Sequence, residues 1–221
     1  MMLRFSLPSA NIEYVFDLDD TLYRERDYSR SALTFAGNLI ASLFGHHNAR
    51  DELLDFLTQG VALPLDRYWD KAQLPHAAKA QIVAAMNAHM PDIMLYPAAK
   101  DFLTRLRLTN VGFSIVTDGR SITQRAKLHA LNCLDAKYIS ISDEVNLPKT
   151  DVRRFLDFSA KFPANRYVYV GDNPSKDFWA PNKLGWDTIM VLNSGENVHQ
   201  QHNVSMEFVA KRSINSLDEL D

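Results

Sequence analysis

Asp17 and Asp19 lie one residue apart in the segment DLDDTL, which directly follows the apolar run IEYVF at residues 12–16. Two carboxylates with this spacing can divide the work of a reaction, because one can attack or bind a metal ion while the other exchanges a proton. The same segment also fits a simple turn whose aspartates cap a helix. The D-x-D-x-T spacing, completed by Thr21, therefore indicates a reactive pair without establishing one by itself.

Three further polar groups follow apolar runs later in the chain. Thr117 and Asp118 begin the segment TDGR, where a hydroxyl and backbone N–H groups at a helix start suit a phosphate oxygen. Lys149 lies in LPKTD, just before a helical segment. Asp172 and Asp177 lie in GDNPSKD, where the first can hold a divalent cation and the second can do the same or orient the lysine. Each group alone also fits a helix cap, a solvated lysine or a first-turn acid.

Alternating strands and helices must position these groups. Runs rich in β-branched and aromatic residues predict strands at Ile12–Phe16, 111–116, Tyr138–Ile141, 167–170 and 188–192. Helices are predicted at Pro97–Leu108, 121–131 and 150–160, with another starting at Pro174. This alternation predicts an α/β fold with a parallel sheet and helices on both faces. Such sheets bind ligands at the carboxyl ends of their strands, so the four groups are expected to meet there.

The segment between the first two strands differs in character. Apolar residues recur at helical spacing in 29–44, 48–57 and 77–90, without a convincing strand. We therefore predict an inserted all-helical domain at residues 24–95 and an α/β core domain made of residues 1–23 and 96–221. Within the core domain, the polar stretch 193–203 is predicted to be a loop, and the pattern assigns no structure to the tail that follows.

Taken together and in this order, the four polar groups resemble the haloacid dehalogenase superfamily. Its pattern is D-x-D-x-[TV], a strand-end Thr or Ser, a Lys, and G-D-x-x-x-x-D. The matching residues are Asp17, Asp19, Thr21, Thr117, Lys149, Asp172 and Asp177, with Phe155 six residues after the lysine as in many relatives. The resemblance implies a Rossmann-like core. The helical insertion resembles the C1 cap of subfamily I, which closes over the active site and excludes water.

Two departures from the family pattern leave these groups in place. Many relatives have Pro directly after the lysine, whereas here Pro148 precedes Lys149. Relatives often carry Gly-Ala-Lys after the final aspartate, where this chain has APN at residues 180–182. Pro181 is predicted to interrupt the helix that starts at Pro174.

The resemblance implies a phosphohydrolase that acts on a small phosphorylated metabolite. By this resemblance Asp17 attacks phosphorus and forms an aspartyl-phosphate, while Asp19 protonates the leaving oxygen and then helps to activate water. The phosphate-binding groups that it implies are Thr117, the Asp118 amide and Lys149. Phosphoryl transfer needs charge neutralisation and in-line positioning more than elaborate covalent chemistry, so this assignment is chemically consistent.

The same resemblance implies a Mg²⁺ site. Its ligands are the Asp17 carboxylate, the Asp19 backbone carbonyl and Asp172, and Asp177 is either a further ligand or the group that orients Lys149. A bound cation keeps clustered carboxylates ionised, which their mutual repulsion opposes.

Substrate discrimination must come from side chains beyond the shared phosphate machinery. The candidates are Tyr23, Arg24 and Arg26, where the helical domain joins the core, and Arg120, just after the second motif. Arginine suits a second anionic group on the substrate, such as another phosphate or a carboxylate. The alternative is that these residues are solvated parts of a hinge.

Three alternative functions stay open at this stage. A haloacid dehalogenase needs neither a proton donor nor magnesium, and the presence of Asp19 and Asp172 argues against it. A phosphomutase of the same fold would return the phosphoryl group to a sugar, and no motif excludes it. A non-catalytic phosphate-binding regulatory protein is disfavoured, because each catalytic group that the resemblance requires is present.

Composition excludes several other classes. Lys and Arg together number 24 against 27 Asp and Glu, so the formal charge of −3 gives no basic excess for nucleic-acid binding. The chain has one cysteine, Cys133, which rules out an internal disulfide. The N-terminal residues lack a sustained apolar stretch, and no run approaches the ~20 apolar residues of a membrane helix. We therefore expect a cytoplasmic protein with a small-molecule partner and no membrane partner, whose oligomeric state the sequence does not reveal.

Overall fold

The computed structural model describes residues 12–192, 195, 197–201 and 205–220. Within them a six-stranded sheet forms the centre of the fold. Its strands are β1 (Ile12–Phe16), β2 (Ser114–Thr117), β3 (Tyr138–Ile141), β4 (Arg166–Gly171), β5 (Asp187–Val191) and β6 (Arg212–Ile214). They pair in parallel in the order β3-β2-β1-β4-β5-β6, which confirms the predicted α/β fold. The strand order reverses between β1 and β4, and open α/β sheets bind ligands at such a point.

Helices fill the connections between these strands. Between β1 and β2 the chain forms α1 (Glu25–Phe44), α2 (Ala49–Thr58), α3 (Pro64–Lys71), α4 (His76–Ala88) and α5 (Pro97–Leu108). The later connections contain α6 (Ser121–Ala130), α7 (Ser142–Val145), α8 (Val152–Lys161) and α9 (Trp179–Lys183).

Strand β1 is buried on both faces of the sheet. On one face Tyr14 and Phe16 pack edge-on against Phe102 of α5. On the other face Val15 joins an apolar cluster that includes Phe155 of α8. Strands of a parallel sheet with both faces covered read as continuous apolar runs, which explains the sequence of this strand. The residues that directly follow β1 therefore start from a fixed position.

Helices α1 to α4 have an apolar core of their own, whose buried members include Ile40, Leu53 and Trp69. Where α1 crosses α2, a Cβ atom on Gly37 would lie 2.4 Å from the Cα atom of Arg50, so only glycine permits this approach. The predicted domain limits, 24–95 for the helical domain, stay a prediction.

The helix predicted to start at Pro174 does not form there, so that prediction was wrong. The carbonyl of Asn173 accepts the backbone N–H of Asp177, and the segment forms a turn. Helix α9 begins at Trp179 instead. Pro181 falls in its first turn, where a missing N–H group breaks no helical hydrogen bond, and so it does not interrupt the helix.

Three of the helices and strands named above escape the sequence pattern altogether. Helix α3 has eight residues, α7 has four and β6 has three, and each is too short for a clear periodicity. Of the predicted loop 193–203, residues 195 and 197–201 carry neither helix nor strand, and the others lie outside the described residues. Residues 1–11, on which the expected lack of a targeting segment rests, also lie outside them. Cys133 is buried, and in the described part of the chain no helix has the length and apolar character to cross a membrane.

Candidate active site

The four polar groups of the sequence meet in one cavity of about 100 Å³ at the carboxyl edge of the sheet. Its lining contains six residues singled out from the sequence, namely Asp17, Asp19, Thr117, Asp118, Lys149 and Asp172. Four further residues complete the lining, namely Glu25, Asn173, Lys176 and His199.

Pairing between β1 and β4 brings two of the carboxylates together. The backbone N–H of Asp17 donates to the Val170 carbonyl at 2.8 Å, which extends the ladder one residue past β1. Asp172 follows β4 directly, so the two aspartates leave neighbouring strands at the same level. The strand ends thus place these carboxylates by backbone hydrogen bonds rather than by loop conformation.

Lys149 joins the first and fourth motifs. Its Nζ atom lies 2.6 Å from Oδ1 of Asp17 and 2.7 Å from Oδ1 of Asp177, and the three side chains are buried. Asp177 also accepts a hydrogen bond from the Tyr169 hydroxyl at 3.0 Å and one from the Asn173 backbone N–H at 2.8 Å. Both Asp177 oxygens are therefore occupied by protein donors, an arrangement that orients the lysine.

Gly171 is required by this arrangement. A Cβ atom at that position would lie 2.6 Å from Oδ2 of Asp177, closer than Cβ atoms in proteins approach a non-bonded neighbour. The glycine of the fourth motif therefore leaves room for Asp177 to reach Lys149 from behind the cavity.

Negative charge exceeds positive charge at this edge of the sheet. Carboxylate oxygens of Asp17, Asp172 and Asp177 lie within 4.8 Å of one another, a spacing that could hold a metal ion. Burial raises the pKa of Asp17 to about 8, although the positive charge of Lys149 opposes this shift. The pKa of Asp172 is raised to about 9 by burial and by the negative charges of Asp177 and Asp17. Mg²⁺ sites in proteins provide hard oxygen ligands whose charge is not fully neutralised. The carboxylates of Asp17 and Asp172 fit that ion, whereas both oxygens of Asp177 already accept hydrogen bonds from the protein.

Asp19 is held by three side chains that the sequence analysis did not identify as partners. Lys127 Nζ lies 2.7 Å from Oδ1, Gln124 Nε2 donates to Oδ2 at 3.0 Å, and the Tyr23 hydroxyl also donates to Oδ1. Burial raises the pKa of Asp19, but the charge of Lys127 and the hydrogen bonds outweigh it, so the pKa lies below its usual value. The three contacts therefore stabilise the carboxylate in a fixed orientation.

Arg154 of helix α8 is buried, and its side chain connects the two segments that carry Thr117 and Lys149. Its guanidinium donates to the Thr117 carbonyl at 2.7 Å, the Leu147 carbonyl at 3.2 Å and the Asp118 carboxylate at 2.6 Å. Two more hydrogen bonds reach the hydroxyl and carbonyl oxygens of Ser140. Because the Lys149 backbone N–H donates to the same Asp118 carboxylate, this one arginine ties the second motif to the third.

We expect Arg154→Met to lower the free energy of unfolding by about 3 kcal/mol, since it leaves buried acceptors and the Asp118 charge without their partner. Urea denaturation measures this change. The matched control is Arg153→Met, because the neighbouring Arg153 is exposed and pairs with Asp151 at the surface. Equal stability of the two variants would contradict the organising role of Arg154.

The four candidates for substrate specificity are placed differently from the motif residues. Tyr23 is fully buried and donates to Asp19, so its side chain is part of the core and not of the mouth. Arg24 is half-buried and Arg26 and Arg120 are exposed, and among the described residues these arginines do not line the cavity. Their role in specificity stays a prediction.

Glu25, Lys176 and His199 line the cavity in their place. Burial, together with the nearby charge of Asp19, raises the pKa of Glu25 to about 7. Glu25 opens α1, and its backbone N–H donates to Asp20 at 2.8 Å, which directs this helix start toward the strand-end loop. The sequence did not indicate that these three residues line the cavity, because charged residues at helix starts and in loops are usually solvated.

Comparison with known proteins agrees with this fold. The haloacid dehalogenase-like hydrolase family matches residues 14–191. A glyceraldehyde 3-phosphate phosphatase of Pyrococcus furiosus is 28% identical over 189 residues, which cover 79% of this chain and 78% of that protein. A ribulose-1,5-bisphosphate 5-phosphatase of Halopiger xanaduensis is 26% identical, with 93% of this chain and 96% of that protein covered. The crystal structure of a 2-haloacid dehalogenase from Pseudomonas syringae shares the fold, with a TM-score of 0.63, 17% identity and coverage of 95% and 96%.

The chain therefore belongs to the haloacid dehalogenase-like hydrolases. The curated relatives that it matches at 26–28% identity are phosphatases.

Proposed function

We propose that this enzyme is a Mg²⁺-dependent phosphohydrolase that removes phosphate from a small phosphorylated metabolite through an aspartyl-phosphate intermediate on Asp17. The observation that carries the proposal is the meeting of Asp17, Thr117, Lys149 and Asp172 in one cavity at the strand ends. A nucleophile, two phosphate-binding groups and a metal-binding carboxylate are the parts that phosphoryl transfer requires.

In the first step an oxygen of Asp17 attacks phosphorus and the bond from phosphorus to the leaving oxygen breaks. The negative charge of the incoming phosphate raises the pKa of Asp19, which lies below its usual value without substrate, so Asp19 can supply the proton that the leaving oxygen takes up. In the second step water attacks the phosphoryl group, Asp19 accepts a proton from that water, and the bond to Asp17 breaks to release inorganic phosphate. One carboxyl group can serve both steps because the proton lost in the first returns in the second.

The phosphoryl group needs positive and hydrogen-bonding partners during both steps. Lys149 lies 2.6 Å from the attacking carboxylate and would contact the incoming phosphate, together with the Thr117 hydroxyl and the Asp118 amide. Asp17, the Asp19 carbonyl and Asp172 would hold Mg²⁺. When bound there, Mg²⁺ supplies Lewis acidity that offsets the charge of the phosphate oxygens.

Two observations support a small substrate. The cavity encloses about 100 Å³, which accommodates a phosphoryl group and a few further atoms, and the rest of a substrate would lie at its open mouth. The relatives named above are phosphatases of glyceraldehyde 3-phosphate and ribulose-1,5-bisphosphate, both small sugar phosphates. We propose a short sugar phosphate or related metabolite as the substrate.

The test is release of inorganic phosphate from a panel of triose, pentose and hexose phosphates, mononucleotides and 4-nitrophenyl phosphate, with and without Mg²⁺. We expect release from a short sugar phosphate that depends on the metal. Conversion of one sugar phosphate into its isomer without phosphate release would identify a phosphomutase instead. Phosphate binding without turnover of any compound would contradict the proposal in favour of a regulatory protein.

Removal of the metal should abolish this activity, and added Mg²⁺ should restore it. Asp172→Asn should raise the Mg²⁺ concentration for half-maximal activity by about 10-fold or more, since contacts to a charged group are worth about 1.5–3 kcal/mol. Asp187→Asn is the matched control, because Asp187 begins β5 at the opposite edge of the sheet and pairs with Arg166 at the surface. The same Mg²⁺ requirement in both variants would contradict the metal assignment of Asp172.

A further inference from the structure

Helix α6 carries a polar face that is buried. Thr123, Gln124 and Lys127 follow helical spacing, and their exposed fractions are 8%, 2% and 4%. This face lies between the end of the sheet and the helices α1 and α4, because the Thr123 hydroxyl donates to the Asn87 carbonyl at 3.0 Å. Lysine is almost never fully buried unless it is paired, so Lys127 needs a specific explanation.

The ammonium group of Lys127 is fixed from two sides. Its Nζ atom donates to Oδ1 of Asp19 at 2.7 Å. On the side of α1 the same atom lies 4.2 Å from the centre of the Tyr28 ring, a close cation–π contact. Lys127 thus connects the carboxyl group at the strand end to a helix of the insertion.

The other oxygen of Asp19 is fixed by Gln124. Its amide nitrogen donates to Asp19 Oδ2 at 3.0 Å and to the Thr117 hydroxyl at 2.7 Å. Lys127 and Tyr23 donate to one oxygen of Asp19 and Gln124 donates to the other, so the carboxyl group cannot rotate without losing a hydrogen bond. Helix α6 therefore sets the plane of this group together with Tyr23.

We propose that Lys127 is a positioning residue for Asp19, holding the carboxyl group in the orientation from which it exchanges protons with the leaving oxygen and with water. This inference rests on the proposed function. Lys127 does not line the cavity among the described residues, so it acts through Asp19 and not on the substrate.

Stability alone does not account for this ion pair. Replacing a buried ion pair by well-packed apolar residues is often neutral or stabilising, so a purely structural contact would not require a lysine at this position. Orientation of a reacting group is a different requirement, because small displacements of such a group cost large factors in rate.

Lys127→Met keeps the length of the side chain and removes the charge and the hydrogen bond. We expect kcat for an alkyl phosphate to fall by about 10- to 100-fold, the range that the loss of one charge-assisted hydrogen bond carries. KM should change little, because Thr117 and Lys149 keep their places. The loss should be smaller for 4-nitrophenyl phosphate, whose leaving group needs less protonation.

The decisive measurement is a double-mutant cycle with Asp19→Asn. If Lys127 acts through Asp19, adding Lys127→Met to Asp19→Asn causes no further loss of kcat. In the presence of Asp19, the Lys127→Arg variant should have a higher kcat than Lys127→Met, because arginine keeps the positive charge. Lys137→Met is the matched control, since Lys137 also pairs with a carboxylate, Glu13, and lies 4.7 Å from an aromatic ring, but far along the strand from the site. Thermal unfolding of each variant establishes that the compared proteins are folded.

Several outcomes would overturn the inference. Losses that multiply in the double variant, an unchanged kcat in Lys127→Met, or an equal loss in Lys137→Met would each show that Lys127 does not act through Asp19. These results are distinct from failure of the proposed function, in which the wild-type enzyme itself releases no phosphate from the panel and the inference falls with it.

Discussion

We expect Asp17→Asn to release no inorganic phosphate from any substrate that the wild-type enzyme hydrolyses. The amide is nearly the same size as the carboxyl group but cannot attack phosphorus, so the aspartyl-phosphate cannot form. Phosphate release measured over hours, with Mg²⁺ present, gives the residual rate. This is the largest effect expected of any substitution in the chain.

The Asp17→Asn variant should also fold, which makes the result interpretable. Burial already raises the pKa of Asp17 to about 8, so the protein accommodates an uncharged side chain at this position. Lys149 keeps its contact with Asp177 at 2.7 Å and does not become an unpaired buried charge. Asp101→Asn, which removes an exposed carboxylate on α5, is the control. Full activity in Asp17→Asn would remove Asp17 from the reaction.

The second largest effect is expected for Asp19→Asn. Its amide cannot exchange a proton, so hydrolysis of an alkyl phosphate should fall by about 10²- to 10⁴-fold, the range of general acid–base catalysis. The first step should suffer less with aryl phosphates, because their leaving groups need little protonation. Rates across phenyl phosphates of increasing leaving-group acidity measure this dependence.

The dependence on the leaving group separates two roles of Asp19. A loss that shrinks with better leaving groups indicates proton transfer, whereas a constant loss would mean that Asp19 only supports the structure. Rapid-mixing experiments with 4-nitrophenyl phosphate add a second criterion. If Asp19 also activates water, the variant should release one equivalent of nitrophenol quickly and then turn over slowly.

The motif residues could be located from sequence because a strand end is a fixed place. Ile12–Phe16 is apolar at nearly every position, which predicts a strand that is buried inside the sheet. Asp17 directly follows this strand and therefore lies at the carboxyl edge of the sheet. In the same way, Thr117 is the last residue of β2 and Asp172 directly follows β4. Backbone hydrogen bonds, rather than long-range packing, decide where these side chains lie.

The supporting residues could not be located in this way. Gln124, Lys127 and Arg154 lie on helices, and a polar residue on a helix is normally predicted to face solvent. Their burial depends on the insertion packing over α6 and on loops meeting around α8, which are contacts between distant parts of the chain. Local periodicity contains no information about such contacts, so the polar side chains around Asp19 and Asp118 emerged only from the structure.

The central place of β1 in the sheet also determines how the site responds to local opening. The strand is hydrogen-bonded on both sides and buried on both faces, whereas the insertion has an apolar cluster of its own. We therefore expect amide protons of β1 to exchange with solvent only when the whole core unfolds, and helices such as α2 to open at a lower free energy. The two carboxylates that follow β1 consequently keep their geometry through the fluctuations that admit substrate and release product.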